Sequence, residues 1–203
     1  RNDHVVTDLN TWHAYLPGYA WEEHLQEVVD QTYPGSPWNF IGDNRQTRVP
    51  MLNSECGNVW GYTGSTGDVD WSWDYHIMLN EFRKHPEISG WLYTEHHDVI
   101  NEWNGYYRYD RSEKYPGLSS FIPDMELEQL HSEVYLSTGS DLCRPVKPEQ
   151  KVIVPLHLSV MTDRVPPGEM ILDYELSGHD HTGRFRHLFL LSRSLPSAPY
   201  FNG

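Results

Sequence analysis

The stretch SGWLYTEHHDVINEWNGYYRYDRSEK, Ser89 to Lys114, opens on an apolar run and turns abruptly polar at Thr94. A buried strand that ends this way carries Thr94, Glu95, His96, His97 and Asp98 at its carboxyl end, where barrel and open α/β enzymes hold their chemistry. VPMLNSE, residues 49–55, repeats the pattern and leaves Glu55 in the same kind of position on the preceding strand. Together the two stretches predict the last two strands of an enzyme barrel.

Working outward, Val5 to Leu9 reads as a short strand delivering Asn10, Trp12, His13 and Tyr15 to a loop, and a helix follows over Trp21 to Gln31. The Pro/Gly cluster YPGSPWNF is a surface excursion that shapes a binding mouth. A second strand, Val49 to Asn53, leads through Glu55 into the Gly-rich CGNVWGYTGSTGD. Asp68 or Asp70 is placed to cap the next helix, in which Trp71, Tyr75, Met78 and Phe82 recur as one buried face. His85-Pro86 stops it, and Gly90 to Thr94 is the third strand. This βαβαβ order requires parallel strands with right-handed crossovers.

Beyond Lys114 the run PGLSSFIPDM is linker-like, and Glu126 to Tyr135 suits a short helix or an extended arm. KVIVPLHLSV, EMILDYEL and RFRHLFLLS then read as strands separated by turn signals, the pattern of an antiparallel sandwich. The fold class expected is therefore α/β: the C-terminal part of a (β/α)8 TIM barrel over residues 1–135, followed by a partial antiparallel β-sandwich over residues 136–203. A whole barrel takes about 250 residues, so 203 residues opening at RNDHVVTDLN without an initiator methionine are expected to be a fragment. Its remaining partner would be the rest of the same polypeptide, with a homo-oligomer left open.

A net charge of −14 argues against nucleic acid, whose phosphates it would repel. No apolar run approaches the roughly twenty residues of a membrane span, so no membrane partner is expected. Cys56 and Cys143 form neither a metal pattern nor a disulfide framework. Localisation stays undecided, with a secreted or periplasmic setting favoured slightly over the cytoplasm. Eight Trp and thirteen Tyr are a heavy aromatic load. Flat apolar rings suit the C–H face of a sugar, although most such rings belong to a core.

These residues resemble glycoside hydrolase family 2, the β-galactosidase and β-glucuronidase superfamily. Its members commonly carry YTQ-x-x-DVE-x-E-x-NG-x-x-x-YDR-x-x-K after the final barrel strand. Here Tyr93, Thr94, Asp98, Val99, Glu102, Asn104, Gly105, Tyr109, Asp110, Arg111 and Lys114 keep that spacing. Glu95 and His97 depart from the usual Gln and Thr. Asp8 to Tyr15 resembles the sixth-strand segment ending in an active-site tyrosine, and Asn53 to Gly57 the seventh-strand nucleophile segment.

The resemblance implies retaining hydrolysis of a β-glycoside by two carboxylates, with Glu55 as nucleophile and Tyr15 donating a hydrogen bond that orients it. The acid/base glutamate of the family lies on the fourth strand, upstream of Arg1 in this numbering, so the isolated fragment is expected to be inactive. His13, Trp12, Asn58, Trp91, Glu95 and His97 are candidate substrate contacts, with Trp60 beside Asn58. Trp91 has two readings, inward beneath the sugar or outward against a helix. Asp110 and Arg111 are expected to pair and anchor the loop.

No cofactor and no metal are expected. Adjacent strand residues point to opposite faces, so His96 and His97 do not share an ion, and His179-Asp180-His181 falls in a turn. Asp3-His4 is discounted likewise. The few Lys and Arg around the motifs favour a neutral carbohydrate substrate, β-galactosides foremost, over a uronate. Alternatives are a β-glucuronidase or β-mannosidase of the same superfamily, a carbohydrate-binding protein without hydrolysis, and a self-contained α/β domain of other activity.

Overall fold

The computed structural model describes residues 4–57, 72–100, 102–115, 117–120, 124–137, 144–164 and 168–196. Strands β1 (Asn10–Tyr15), β2 (Met51–Gly57) and β3 (Ile88–Tyr93) form a parallel sheet in the order β1-β2-β3. Helices α1 (Ala20–Gln31) and α2 (Ser72–Lys84) connect them. A short helix α3 (Leu127–Leu130) leads to β4 (Val134–Ser137), which pairs antiparallel with β5 (His157–Val160). The long strands β6 (Glu169–His179) and β7 (Phe185–Pro196) make an antiparallel ribbon.

This corrects the expected fold class. The described residues form three separate sheets, one of three strands and two of two, and strand residues outnumber helical ones. They form neither the C-terminal part of a TIM barrel nor a β-sandwich. The physical reasons are local. Residues expected to extend the architecture fold into loops instead, and the C-terminal apolar runs pair with near neighbours rather than facing a second sheet. In KVIVPLHLSV only His157–Val160 is strand. Pro155 removes a ladder donor, and Ile153 and Val154 stand exposed before it.

The first strand also shifts. Val5 and Val6, read as strand, are exposed, and NTWHAY takes their place with Asn10 and Trp12 buried. His13 and Tyr15 therefore lie on the strand rather than in a loop after it. The second strand runs on to Gly57, so Glu55 sits within its last turn of pleat.

The helices form as their apolar spacing requires. Trp21, Leu25 and Val28 are the buried stripe of α1, and Tyr75, Met78, Leu79 and Phe82 that of α2. Trp21 meets Phe82 with ring centroids 5.4 Å apart, and its indole N–H donates to Leu16 O at 2.8 Å. Each fully buried side chain of this kind contributes about 1.5–3 kcal/mol. Glu22 and Glu23 at the start of α1, and Arg83 and Lys84 at the end of α2, match the helix dipoles.

Arg83 ties the parallel sheet to α3 and β5. Its guanidinium donates to Ser159 Oγ at 3.1 Å and to the carbonyls of Leu130 and Ser132 at 2.8 Å. It also lies over the rings of Trp91 and Tyr135, 5.1 and 4.7 Å from their centroids. Burial pushes its pKa down to about 10, which leaves it charged at neutral pH.

Candidate active site

Parallel pairing brings the carboxyl ends of β1, β2 and β3 to one edge. A bulge between Trp12 and His13 brings His13 opposite Glu55. Tyr15 Oη donates to Glu55 Oε1 at 2.5 Å. His13 Nδ1 stands 3.3 Å from Glu55 Oε2. Each carboxylate oxygen thus faces one polar partner, while the side chain keeps 37% of its surface open. It is held and it is reachable.

Burial, and then the hydrogen bond to Glu55, raise the Tyr15 pKa well above that of a free phenol, while the Thr94 side chain offsets part of the effect. Tyr15 therefore stays protonated and remains a donor. Gly57 leaves room for it. A Cβ there would lie 3.1 Å from Thr94 O and 3.2 Å from the Tyr15 ring. Thr94 N–H donates to Cys56 O at 2.7 Å, which fixes the end of β3 against β2. The Cys56 thiol is buried, and burial with the nearby Glu55 charge pushes its pKa up, so it stays an unreactive thiol.

The loop after β3 is held by a buried ion pair. Lys114 Nζ donates to Asp98 Oδ1 at 2.6 Å, with 1% and 2% of the two side chains exposed, and to Trp103 O at 2.8 Å. Asp98 Oδ1 also accepts from Gly105 N at 2.9 Å. Only glycine fits at Gly105, because a Cβ would fall 2.3 Å from Asp98 N and His97 C. Tyr93 Oη donates to Asn104 O at 2.7 Å and closes the loop on the strand that launches it.

This replaces the expected Asp110–Arg111 anchor. Asp110 accepts from the Ser112 amide and hydroxyl, and Arg111 donates to Tyr109 O. The sequence signal for the true anchor was present in the motif, since Asp98, Gly105 and Lys114 are three of its matching positions.

Of the expected site residues, the structure brings together Glu55, Tyr15 and His13. Glu95 sits half-buried on the adjoining loop. Burial first, then the Glu102 carboxylate, raise its pKa, and its Oε1 is buried without a hydrogen-bond partner. His97 bridges to Tyr107 and lines a separate depression with Tyr109 and Arg111. Trp12 is core, edge-on to Trp38 at 6.0 Å. Trp91 takes the outward position, stacked on Phe82 at 5.4 Å beneath Arg83. Asn58, Trp60, Trp71, Asp68, Asp70, Asp3 and Cys143 lie outside the described residues.

Among the described residues, no group of three or more His, Cys, Asp and Glu side chains is arranged to hold a metal ion. Asp180 of the HDH triplet is consumed by its turn, with the Thr182 hydroxyl foremost and then Arg186 holding its pKa down at about 2. No described helix is long and apolar enough to cross a membrane. No protein-family model matches the chain, and no curated protein matches it significantly.

Proposed function

We propose that this chain carries the nucleophile site of a retaining β-glycosidase of the glycoside hydrolase family 2 type, acting on terminal β-linked neutral sugars, β-galactosides foremost. The observation that carries this reading is the Tyr15–Glu55 hydrogen bond of 2.5 Å at the carboxyl edge of a parallel sheet. A carboxylate hydrogen-bonded by a phenol donor can attack the anomeric carbon as the glycosidic C–O bond breaks, and it can stabilise the oxocarbenium-like charge on the way. His13 on the second oxygen limits rotation of the carboxylate, and the open face of Glu55 admits the sugar. A second carboxyl group, about 5–5.5 Å away, must protonate the departing oxygen. In this reading it comes from a segment outside these residues, and the chain alone turns over slowly or not at all. Lys114, the lysine of the loop after β3, is spent on Asp98, which supports a neutral sugar over a uronate.

The test uses a 2-deoxy-2-fluoro-β-galactoside with a dinitrophenolate leaving group. That anion departs with the bonding electron pair without needing a proton, so labelling reads the nucleophile alone. The expected result is a fluorosugar ester on Glu55, located by peptide mass mapping and absent in Glu55→Gln. Labelling at another residue, or none with any fluoroglycoside of this class, would overturn the proposal.

A further inference from the structure

The loop that leaves the carboxyl end of β3 also shapes the depression beside His97. His97, Val99, Ile100, Tyr109 and Arg111 line it, around a volume of about 570 Å³. The chain carries 29 Asp and Glu against 15 Lys and Arg, yet among the described residues no carboxylate lines this place. The acids next to it in sequence have partners elsewhere, Asp98 on Lys114 and Asp110 on the Ser112 amide and hydroxyl. Ile100 and Tyr109 are 73% and 53% exposed, so an aliphatic side chain and an aromatic ring stand open to solvent beside a cation.

Arg111 supplies that cation. A guanidinium has five N–H groups, and among the described residues only Nη1 of Arg111 meets an acceptor, Tyr109 O at 2.5 Å. This bond ties the side chain to its own loop, so the remaining donors are positioned before a ligand arrives. The backbone is held as well. Arg111 N–H donates to Arg108 O at 2.8 Å, and the residue keeps a φ of 74°, a left-handed conformation in which glycine is the usual occupant. His97 lies close by. Desolvation first, then the Arg111 charge and the His96 ring, lower the His97 pKa, with the Asp98 carboxylate opposing them. At neutral pH the His97 ring is therefore uncharged and keeps one N–H to give, and neither ring nitrogen has a hydrogen-bond partner among the described residues.

We infer that this depression is a second sugar subsite, which takes the carboxylate of a uronate unit on Arg111 and His97 and the uronate ring on Tyr109 and Ile100. A planar guanidinium matches a planar carboxylate through two parallel N–H···O bonds. The apolar C–H face of a pyranose suits an aromatic ring beside an aliphatic side chain. A site for terminal sugars holds only the last unit at Glu55, so a separate depression on the same edge serves the unit that follows, on the leaving-group side. The substrate class is thus a neutral sugar β-linked to a uronate-bearing chain. This inference rests on the glycosidase reading only for that placement, and the neutral sugar at Glu55 is unchanged by it.

The test reads binding rather than turnover, so failure of Glu55 labelling and failure at Arg111 are separate results. Methyl β-D-glucopyranosiduronate is titrated into the full chain at about pH 7, and NMR follows the imidazole signals of His97 and His13, assigned with His97→Gln and His13→Gln. The expected result is a saturable shift at His97 and none at His13. The neutral methyl β-D-glucopyranoside and inorganic sulfate, which lack the carboxylate and the ring respectively, should each bind at least about tenfold more weakly. Those wild-type comparisons stand whether or not a variant folds. Arg111→Gln, checked for intact β1–β3 amide signals, should weaken the uronate about ten- to a hundredfold, and Glu55→Gln should bind it as wild type does. A shift at His13 in place of His97, a glucoside or sulfate that binds as tightly, or unchanged affinity in folded Arg111→Gln would each overturn the inference.

Discussion

The carboxyl edge of the parallel sheet and the β6–β7 ribbon are both built of strands, yet they are held in opposite ways. At the edge, groups far apart in sequence converge. Tyr15 reaches Glu55 across 40 residues, and Lys114 reaches Asp98 across 16. In the ribbon the strands pair across one turn with a single register shift, and the side-chain contacts Arg186–Asp180 and His187–Glu175 are internal too. Its Ile171, Leu188 and Leu190 remain 66–70% exposed. The Glu55 carboxylate is therefore fixed by long-range polar contacts, whereas the ribbon is fixed by register.

The largest test of this contrast is the buried clamp. Lys114→Met leaves Asp98 as an uncompensated buried charge and should cost about 3–5 kcal/mol. In a chain of this size that lowers Tm by roughly 10 °C, read by circular dichroism on heating, with the Asp98→Asn/Lys114→Met pair recovering part of it. A loss comparable to that of an exposed ion pair would erase the contrast.

Acid should separate the two regions next. His76 is buried, and burial lowers its pKa from 6.5 to about 4. The unfolded chain takes up that proton near pH 6.5 and the folded chain does not until about pH 4. Stability is therefore full above pH 6.5 and is lost as pH falls through 4, a change of roughly 3 kcal/mol. His85 and His131 shift in the same direction, each mainly through burial. Urea midpoints measured against pH check this, and His76→Gln should flatten the curve.

Tyr15→Phe removes a hydrogen bond to a charged acceptor, worth about 1.5–3 kcal/mol. Fluorosugar labelling of Glu55 should slow about ten- to a hundredfold. The smallest expected effect belongs to the ribbon. Leu190→Ser should change unfolding free energy by no more than about 0.5 kcal/mol. A larger loss in a denaturant titration would mean that another surface covers that face in solution.

The sequence made the Glu55 edge legible because strands announce themselves by apolar runs that stop at a polar residue. Glu55 falls at such a stop, whereas His13 and Tyr15, expected in a loop after a strand at Val5 to Leu9, are carried by β1 itself. Trp12 and Trp91 were harder to assign, since an indole reads alike in a core and in a sugar site. Only packing against Trp38 in one case, and Phe82 and Arg83 in the other, separates the two uses. The sheet architecture is not legible in the sequence because β-propensity does not say which partner a strand finds. Val5 and Val6 look like strand and stand in solvent, while Val152 and Ile153 precede a proline and lie outside any regular strand. The His97–Arg111 depression left no local signal, because Asp110 and Arg111 read as a pair and only the fold gives them separate partners.

Arg83 joins several elements at one point. One guanidinium reaches α3, β5 and two aromatic faces together. If Arg83 is displaced, the rings of Trp91 and Tyr135 lose their cation together, so Trp91 fluorescence becomes an intrinsic gauge of whether that guanidinium is still in place.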